Sequence, residues 1–398
     1  MTGKAVFPGG NAQSLNDVAG QPIAEYVHTK SGTVHKLEGP EKAKYICFKA
    51  TGDYNDGDTW TLNNTPVTVT YNGGEELLPT AVLVGDMVQA VVMGNQVRLM
   101  LQKPTPQENS VINWNYIDPV NQRGMGSYTT KDPFIYTLDM IRLRSAALTL
   151  NQEYTNINFT GEDTFVPRMA ARAICTLKAG QKYTITSLLK VSDNAKGIRF
   201  EVTNQSAIIT GAVIYLSPMS RFMLVTKTFT SPNDVENPEV EISGSDKTSA
   251  GNVAVKALKL EPGKRFTGWP AWNRETEQAK CQRYYFNTIN KNNYALISSA
   301  AYARTDNRLQ CVINAPVSMR TIPVPKIIGE IWVRNYSAAI IKRISEDIAS
   351  INCYSSLPWA LNLDITLTDG TTPFTAGEYY NLIIETMSGN YLEFNANL

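Results

Sequence analysis

The chain has 398 residues, 43% hydrophobic and 18% charged, with 37 Lys+Arg against 36 Asp+Glu for a formal net charge of +1. At roughly 100–200 residues per domain this length predicts two to four domains, and the charged fraction lies below the roughly 25% usual for globular chains. A near-neutral chain with no basic block excludes a phosphate-tracking nucleic-acid binder, whose affinity comes from clustered cations, and no window approaches the ~18 consecutive apolar residues of a membrane-spanning helix.

Residues 1–35 are polar, small and broken by glycine (Gly9, Gly10, Gly20, Gly32). They begin Met1-Thr2-Gly3-Lys4 and run at once into Pro8-Gly9-Gly10, without the apolar core of a signal peptide. The expectation is a chain made in a cytoplasm and not exported by the ordinary route. The segment reads as an attachment arm that orders against something else. It carries the two histidines of the chain, His28 and His35. With no neighbouring Cys or carboxylate in sequence, they are not assigned a metal. Their confinement to this segment argues against triads built on a His base.

Residues 36–103 read as one small β domain. Tyr45–Lys49, Thr59–Leu62 and Pro66–Tyr71 alternate with period two. Met87–Met93 and Gln96–Leu101 are joined by Gly94-Asn95, a two-residue hairpin connection. Asp53–Asp58 fails as an EF-hand, since Gly57 falls where a ligand is needed and Asn64 stands where the bidentate Glu belongs. It reads as a turn. Residues 104–110, with Pro104 and Pro106, read as an extended linker.

Residues 111–270 are strand after strand with turn clusters between them, which predicts a sandwich or jelly roll. One helix is expected, capped by Asn273 and running Arg274–Arg283, with acids leading and bases trailing as the helix dipole favours. Residues 271–398 return to strands and end in a hairpin turning at Ser388-Gly389-Asn390. The five cysteines (Cys47, Cys175, Cys281, Cys311, Cys353) are odd in number and spread out, with no CxxC. Free thiols of a reducing compartment are expected, with no disulfide framework, metal or other cofactor.

Two stretches carry a resemblance. Asn113-Trp114-Asn115-Tyr116-Ile117-Asp118-Pro119-Val120-Asn121-Gln122-Arg123-Gly124 resembles the N-x-NPxNQRG opening of modules in bacteriophage and prophage tail-fibre and receptor-binding proteins. That family continues with Tyr-Thr-Gly and then DRW. Here Tyr128-Thr129-Thr130 and Leu138–Leu143 stand instead, so the second half departs from the pattern. Leu258-Lys259-Leu260-Glu261-Pro262-Gly263, Trp269-Pro270 and Glu277–Tyr285 are similar to the junction ending in CQRYY that introduces the C-terminal domain of such fibres. Ala315–Pro323 is similar to the FPVxMRxxP segment that follows. The three matches keep the family's order over residues 111–325. The domain at 36–103 looks like modules that precede them in prophage fibres of Gram-positive hosts.

The resemblance implies an all-β virion protein and a homotrimer. Residues 1–35 would dock on other phage tail, neck or baseplate proteins. Residues 111–270 would be a jelly roll of the carbohydrate-binding-module type, and residues 271–398 a β-sandwich tip that binds host surface polysaccharide. A low charged fraction suits strand faces buried between subunits. Arg283, Tyr284, Tyr285 and Phe286 are candidate trimer-interface residues, with the core of a single chain as the other reading. For sugar binding, aromatic faces and amides are needed. The tip offers Tyr336, Asn352, Tyr354 and Trp359, with Asn335 and Asn362 near them; the sandwich offers Tyr128, Tyr136 and Tyr215. Two other expectations compete: a purely structural head, neck or baseplate fibre, and a depolymerase spike. The spike would need a carboxylate pair. Glu162 with Asp163, Glu239 with Glu241, or Asp364 with Asp369 qualify by spacing, and Glu239 and Glu241 share a strand face. Nothing in sequence separates them from solvent-facing carboxylates, so no catalytic residue is assigned.

Overall fold

Val, Ile, Thr and Tyr alternate with polar residues through most of the chain, a period of two that folds as strand. The computed structural model describes residues 23–130, 134–160, 165–204, 207–288, 294–335, 341–357, 360–368, 370–385 and 391–396. Among them the fold is nearly all β, with one α-helix. Two compact units emerge. One takes the residues up to Ile117 with Glu153–Arg168 and Arg172–Ala271; the other takes Asp118–Gln152, Met169–Ala171 and Trp272–Leu398.

The first unit opens with a closed barrel. Its strands are β1 (Ala24–Ser31), β2 (Val34–Glu38), β3 (Tyr45–Lys49), β4 (Thr59–Leu62), β5 (Thr65–Thr70), β6 (Met87–Met93) and β7 (Gln96–Leu99), ordered β1-β2-β4-β5-β7-β6-β3. Tyr26, Leu37, Ile46, Phe48, Trp60, Val88, Val97 and Leu99 fill it. The expected β6–β7 hairpin is present with Met93 opposite Gln96, and Gly94 supplies φ +66° at the turn. Asn63 and Asn64, both at positive φ, close the β4–β5 hairpin. The barrel begins at Ala24, so the boundary expected at residue 36 is corrected: β1 and β2 close the barrel and do not form part of an arm. Residues 1–22 lie outside the described residues. The expected linker is also no free spacer. Asn109 is buried, its Nδ2 donating to Leu258 O (2.7 Å) and its Oδ1 accepting from Leu260 N (3.1 Å).

Next come β8 (Ser127–Thr130), β9 (Ile135–Tyr136), β10 (Ile141–Arg144), β11 (Ala146–Leu150), β12 (Thr155–Thr160), β13 (Arg168–Arg172), β14 (Thr176–Leu177) and β15 (Lys182–Val191). They are followed by β16 (Ile198–Asn204), β17 (Ala207–Leu216), β18 (Met223–Thr230), β19 (Val235–Glu236), β20 (Glu239–Gly244) and β21 (Ala250–Pro262). Two six-stranded sheets result, β18-β15-β21-β12-β11-β8 and β17-β16-β20-β13-β10-β9, while β14 pairs with β19. From β12 to β21 the chain passes back and forth between the two sheets in jelly-roll order, with β16 and β17 consecutive in one of them. Ile185, Leu189, Val253, Val255, Phe200, Val202, Val240 and Ile242 are among its buried apolar residues.

In the second unit, α1 (Arg274–Gln282) starts where expected, Asn273 Oδ1 accepting from Thr276 N at 2.9 Å. Strands β22 (Tyr285–Asn287), β25 (Val324–Ile328) and β31 (Tyr391–Asn395) form a three-stranded sheet ordered β22-β31-β25. The main sheet contains β23 (Tyr294–Thr305), β24 (Arg308–Asn314), β26 (Ile331–Asn335), β27 (Ile341–Arg343), β28 (Ile348–Leu357), β29 (Ala360–Leu367) and β30 (Tyr379–Glu385). Its order is β27-β26-β30-β23-β24-β29-β28. All five cysteines are free thiols.

Candidate functional site

In the seven-stranded sheet the core-facing residues are Ala301 and Ala303 on β23, Leu309, Cys311 and Ile313 on β24, and Leu361, Leu363 and Ile365 on β29. The period of two then puts Tyr302, Gln310, Val312, Asn362, Asp364, Asn352 and Tyr354 on the opposite face. Register lines them up. Tyr379 stands opposite Tyr302, Tyr302 opposite Gln310, Gln310 opposite Asp364, and Asp364 opposite Asn352. A second row runs Val312, Asn362, Tyr354. Four strand steps of about 4.8 Å make the first row roughly 19 Å long.

Three tyrosines of this face are open to solvent: Tyr354 at 54%, Tyr379 at 56% and Tyr302 at 39% exposure. Tyr302 and Tyr379 meet with ring centroids 5.3 Å apart. Between the rings lies a fixed polar centre. Arg308 Nε donates to Asp364 Oδ1 (2.9 Å) and its Nη2 to Oδ2 (2.5 Å), while Gln310 Nε2 donates to Oδ2 (2.8 Å). Burial works to raise the Asp364 pKa, but the hydrogen bonds from Arg308 and Gln310 and the fields of Arg308 and Arg304 outweigh it and hold the carboxyl below its usual range. At one end of the face, sharing Val312, an open cleft of about 790 Å³ is lined by Leu296, Ser298, Asn314, Asn287 and Gln282 among others. Exposed rings beside amides and a pinned carboxylate suit a flat ligand with one apolar face and a hydroxyl rim.

Of the four expected sugar-contacting residues, Asn352 and Tyr354 fall on this face; Tyr336 and Trp359 lie outside the described residues. Asn362 joins them, whereas Asn335 donates to Glu378 Oε2 at 2.5 Å. Sequence reasoning missed Tyr302, Tyr379, Gln310, Arg304 and Arg308. The signal was Ala301-Tyr302-Ala303-Arg304, where small residues alternate with large polar ones.

The interface expectation for Arg283–Phe286 is corrected. Arg283 is exposed, but Tyr284, Tyr285 and Phe286 are 6%, 1% and 4% exposed within this one chain. Phe286 stacks on Phe394 at 4.7 Å, and the Arg123 guanidinium lies 3.7 Å from the Tyr285 ring centroid. Gln122 Nε2 donates to Tyr285 O (2.9 Å) and Asn287 Nδ2 to Gln122 O (2.7 Å). The NQRG and CQRYY stretches therefore pack on each other.

Among the carboxylate pairs, Glu162, Asp163 and Asp369 lie outside the described residues. Glu239 and Glu241 share a face as expected, but they are not solvent-facing: Glu241 is fully buried and Glu239 is 8% exposed. Glu201, also fully buried, stands opposite Glu241 across β16 and β20. Thr203 Oγ1 donates to Glu241 at 2.6 Å and Ser243 Oγ to Glu201 at 2.5 Å, with Arg168 and Arg199 at 3.3 Å from Glu241 and Glu201 respectively. Burial raises the Glu241 pKa to about 7 against the pull of Thr203 and Arg168. Neither Glu201 nor Glu241 reaches solvent. Of the sandwich tyrosines, Tyr215 is 69% exposed, Tyr136 is partly buried, and Tyr128 is buried with its hydroxyl donating to Asn121 Oδ1 at 2.6 Å.

No family model matches the chain, and no curated protein matches it. Solved structures similar to it include a CBM22-1–CBM22-2 tandem domain of Xyn10C from Paenibacillus barcinonensis, at 7% identity and TM-score 0.24, covering 74% of this chain and 93% of that one. CBM1 of BiXyn10A matches at 12% identity and TM-score 0.25, over 37% of this chain and 96% of that one. The enzymatically active domain of tailspike protein 4 of bacteriophage CBA120 matches at 11% identity and TM-score 0.26, over 39% of this chain and 21% of that one. At these scores none of the three carries an argument about what this chain binds.

Proposed function

We propose that the chain is a non-enzymatic receptor-binding protein of a phage particle, a homotrimer that attaches through its N-terminal residues and binds host surface glycan through the outer face of its seven-stranded sheet. The observation that carries the glycan reading is the row Tyr379–Tyr302–Gln310–Asp364–Asn352, with Tyr354 one step away. Rings cover the apolar side of a pyranose, and the amides of Asn352 and Asn362 take its hydroxyls, beside a buried Asp364 that fixes Arg308 and Gln310. A rigid, pre-ordered sheet supplies this without ordering cost. The order of the NQRG-type, CQRYY-type and MRxxP-type stretches supports the placement on a phage fibre.

The full chain is tested against a panel of immobilised bacterial surface polysaccharides, alongside Tyr302→Ala and Tyr354→Ala. We expect retention on at least one polymer, about tenfold weaker in each variant, as truncating a central aromatic contact costs on the order of 1–2 kcal/mol. The polymer should keep its length during incubation. Binding by both variants at wild-type strength would overturn the assignment of the face, and shortening of the polymer would overturn the non-enzymatic reading.

A further inference from the structure

Charge on this face goes further than the proposed glycan site. Among the described residues, the outer face of the sheet carries Arg304 on β23 and Arg308 on β24, with Arg334 opposite Asn381 on the far side of Tyr379. Against them stands Asp364. The remaining arginine at that edge, Arg343, is engaged by Glu330 (2.7 Å) and Glu346 (2.6 Å). Asp364 engages the Arg308 Nε and Nη2 and is itself nearly buried, at 3% side-chain exposure, while Arg308 is 41% exposed and Arg304 is exposed. The solvent-facing charge of the sheet face is therefore positive, with exposed Asp306 in the β23–β24 turn as the acid beside it.

The cations also sit beside a ring. Arg304 lies two residues from Tyr302 on β23, at the register shift between Ala303 and Thr305, and it is exposed. Arg308 is the diagonal neighbour of Tyr302 across the β23–β24 pair, since Tyr302 stands opposite Gln310. An exposed tyrosine flanked by two guanidiniums matches a sugar whose ring and negative charge are one rigid unit. A flexible phosphodiester polymer offers the charge without the ring face. Guanidinium and carboxylate are also matched as planar forks.

Resting on the glycan-binding reading, we infer that the face takes a polysaccharide built of carboxylate-bearing sugars, with Tyr302 under the ring, Arg304 on the carboxylate, and Arg308, whose Nε and Nη2 are held by Asp364, adding its charge and Nη1 beside it. The test titrates the full chain with oligogalacturonate, with its methyl ester and with a linear polyphosphate, and repeats the first titration with Arg304→Gln. Arg304 is exposed, so the variant keeps its fold, which circular dichroism checks. We expect binding to the acid, about tenfold loss in R304Q, and loss of affinity as salt rises from about 0.1 M to about 1 M, where the screening length falls from ~10 to ~3 Å. The ester and the polyphosphate should both bind at least about tenfold more weakly. Equal binding of acid and ester would overturn the charge inference and leave the glycan reading standing. Equal binding of polyphosphate would make the face a general anion patch and overturn the inference as well. Failure of acid, ester and every neutral glycan on the panel would end both.

Discussion

His28 and His35 point inward because they occupy the same alternate positions as Tyr26 and Leu37 on β1 and β2, and they form a directed chain. The Thr51 N–H donates to His28 Nδ1 at 2.9 Å, which leaves the proton of His28 on Nε2, where it meets His35 Nδ1 at 2.9 Å. His35 Nε2 then donates to Asp58 Oδ2 at 3.0 Å, and Lys30 Nζ closes the chain at 2.6 Å. Packed between Phe48 and Trp60, both rings are neutral. Burial, reinforced by the fields of His35 and Lys30, lowers the His28 pKa to about 4, and burial also lowers that of His35. The unfolded chain takes up a proton on each imidazole near pH 6.5, and the folded chain does not take one on His28 until about 4. In that window the unfolded state binds more protons, so this contribution is intact above pH 6.5 and is lost as pH falls toward 4. Buried carboxylates such as Glu241 act in the opposite direction, so the effect has to be isolated by difference. Denaturant unfolding of wild type and His28→Gln should show the wild-type advantage shrinking by about 2 kcal/mol between pH ~7 and ~5. A gap independent of pH would contradict the neutral relay.

At the scale of elements, the loop Asn121–Gly124 is held against β22 by the two Gln122 hydrogen bonds and by the Arg123 guanidinium. Arg123 lies over Tyr285 and reaches Asp139, whose side chain is fully buried and accepts from Gln122 N at 2.8 Å. Burial lifts the Asp139 pKa to about 6, while the Gln122 N–H and Arg123 pull it down. Replacing Arg123 with Ala removes the positive charge beside that buried carboxylate and leaves it the Gln122 N–H, a loss of about 3 kcal/mol. Because the folded pKa is raised, the charged form is the costly one, and removing the guanidinium raises it further. The penalty should therefore be full at pH ~8 and smaller at pH ~5, where Asp139 takes a proton; equal penalties in chemical denaturation would place the Arg123 effect in packing alone. Strands such as Leu309–Ile313 were legible because apolar and polar residues alternate in them, and Asn273 announced α1. The barrel's first two strands were not, because their inward positions include His28 and His35, and the carboxylate and backbone groups that satisfy those rings arrive from Asp58 and Thr51, more than twenty residues on. Half of the candidate face was legible for the same reason. Asn352 and Tyr354 bring an amide and a ring together within three residues, whereas Tyr302 and Arg304 join them only through the pairing of β23, β24 and β29, which no local pattern carries.

For the whole molecule, the open question is where a chain with 18% charged residues places its remaining apolar surface. The Tyr284–Phe286 cluster is already spent inside the chain, so the interface of the proposed trimer would be built from side chains that a single chain leaves out. Ile322, Val324 and Leu296 are 52–58% exposed in the C-terminal unit, and Val324 begins β25, an edge strand of the three-stranded sheet. Pro325 follows it, and a proline blunts an edge against strand addition while leaving its side chains free to pack. Association through these side chains predicts a light-scattering mass of three times 44.0 kDa for the purified chain. Ile322→Asp with Val324→Asp should shift it toward one chain without lowering the unfolding midpoint of the monomer. Tyr285→Ala should do the reverse, costing about 3 kcal/mol or more of chain stability as a buried aromatic lost from a core, with stoichiometry unchanged while the chain stays folded. A wild-type mass of one chain at every concentration would remove the trimer, and with it the explanation for these exposed side chains.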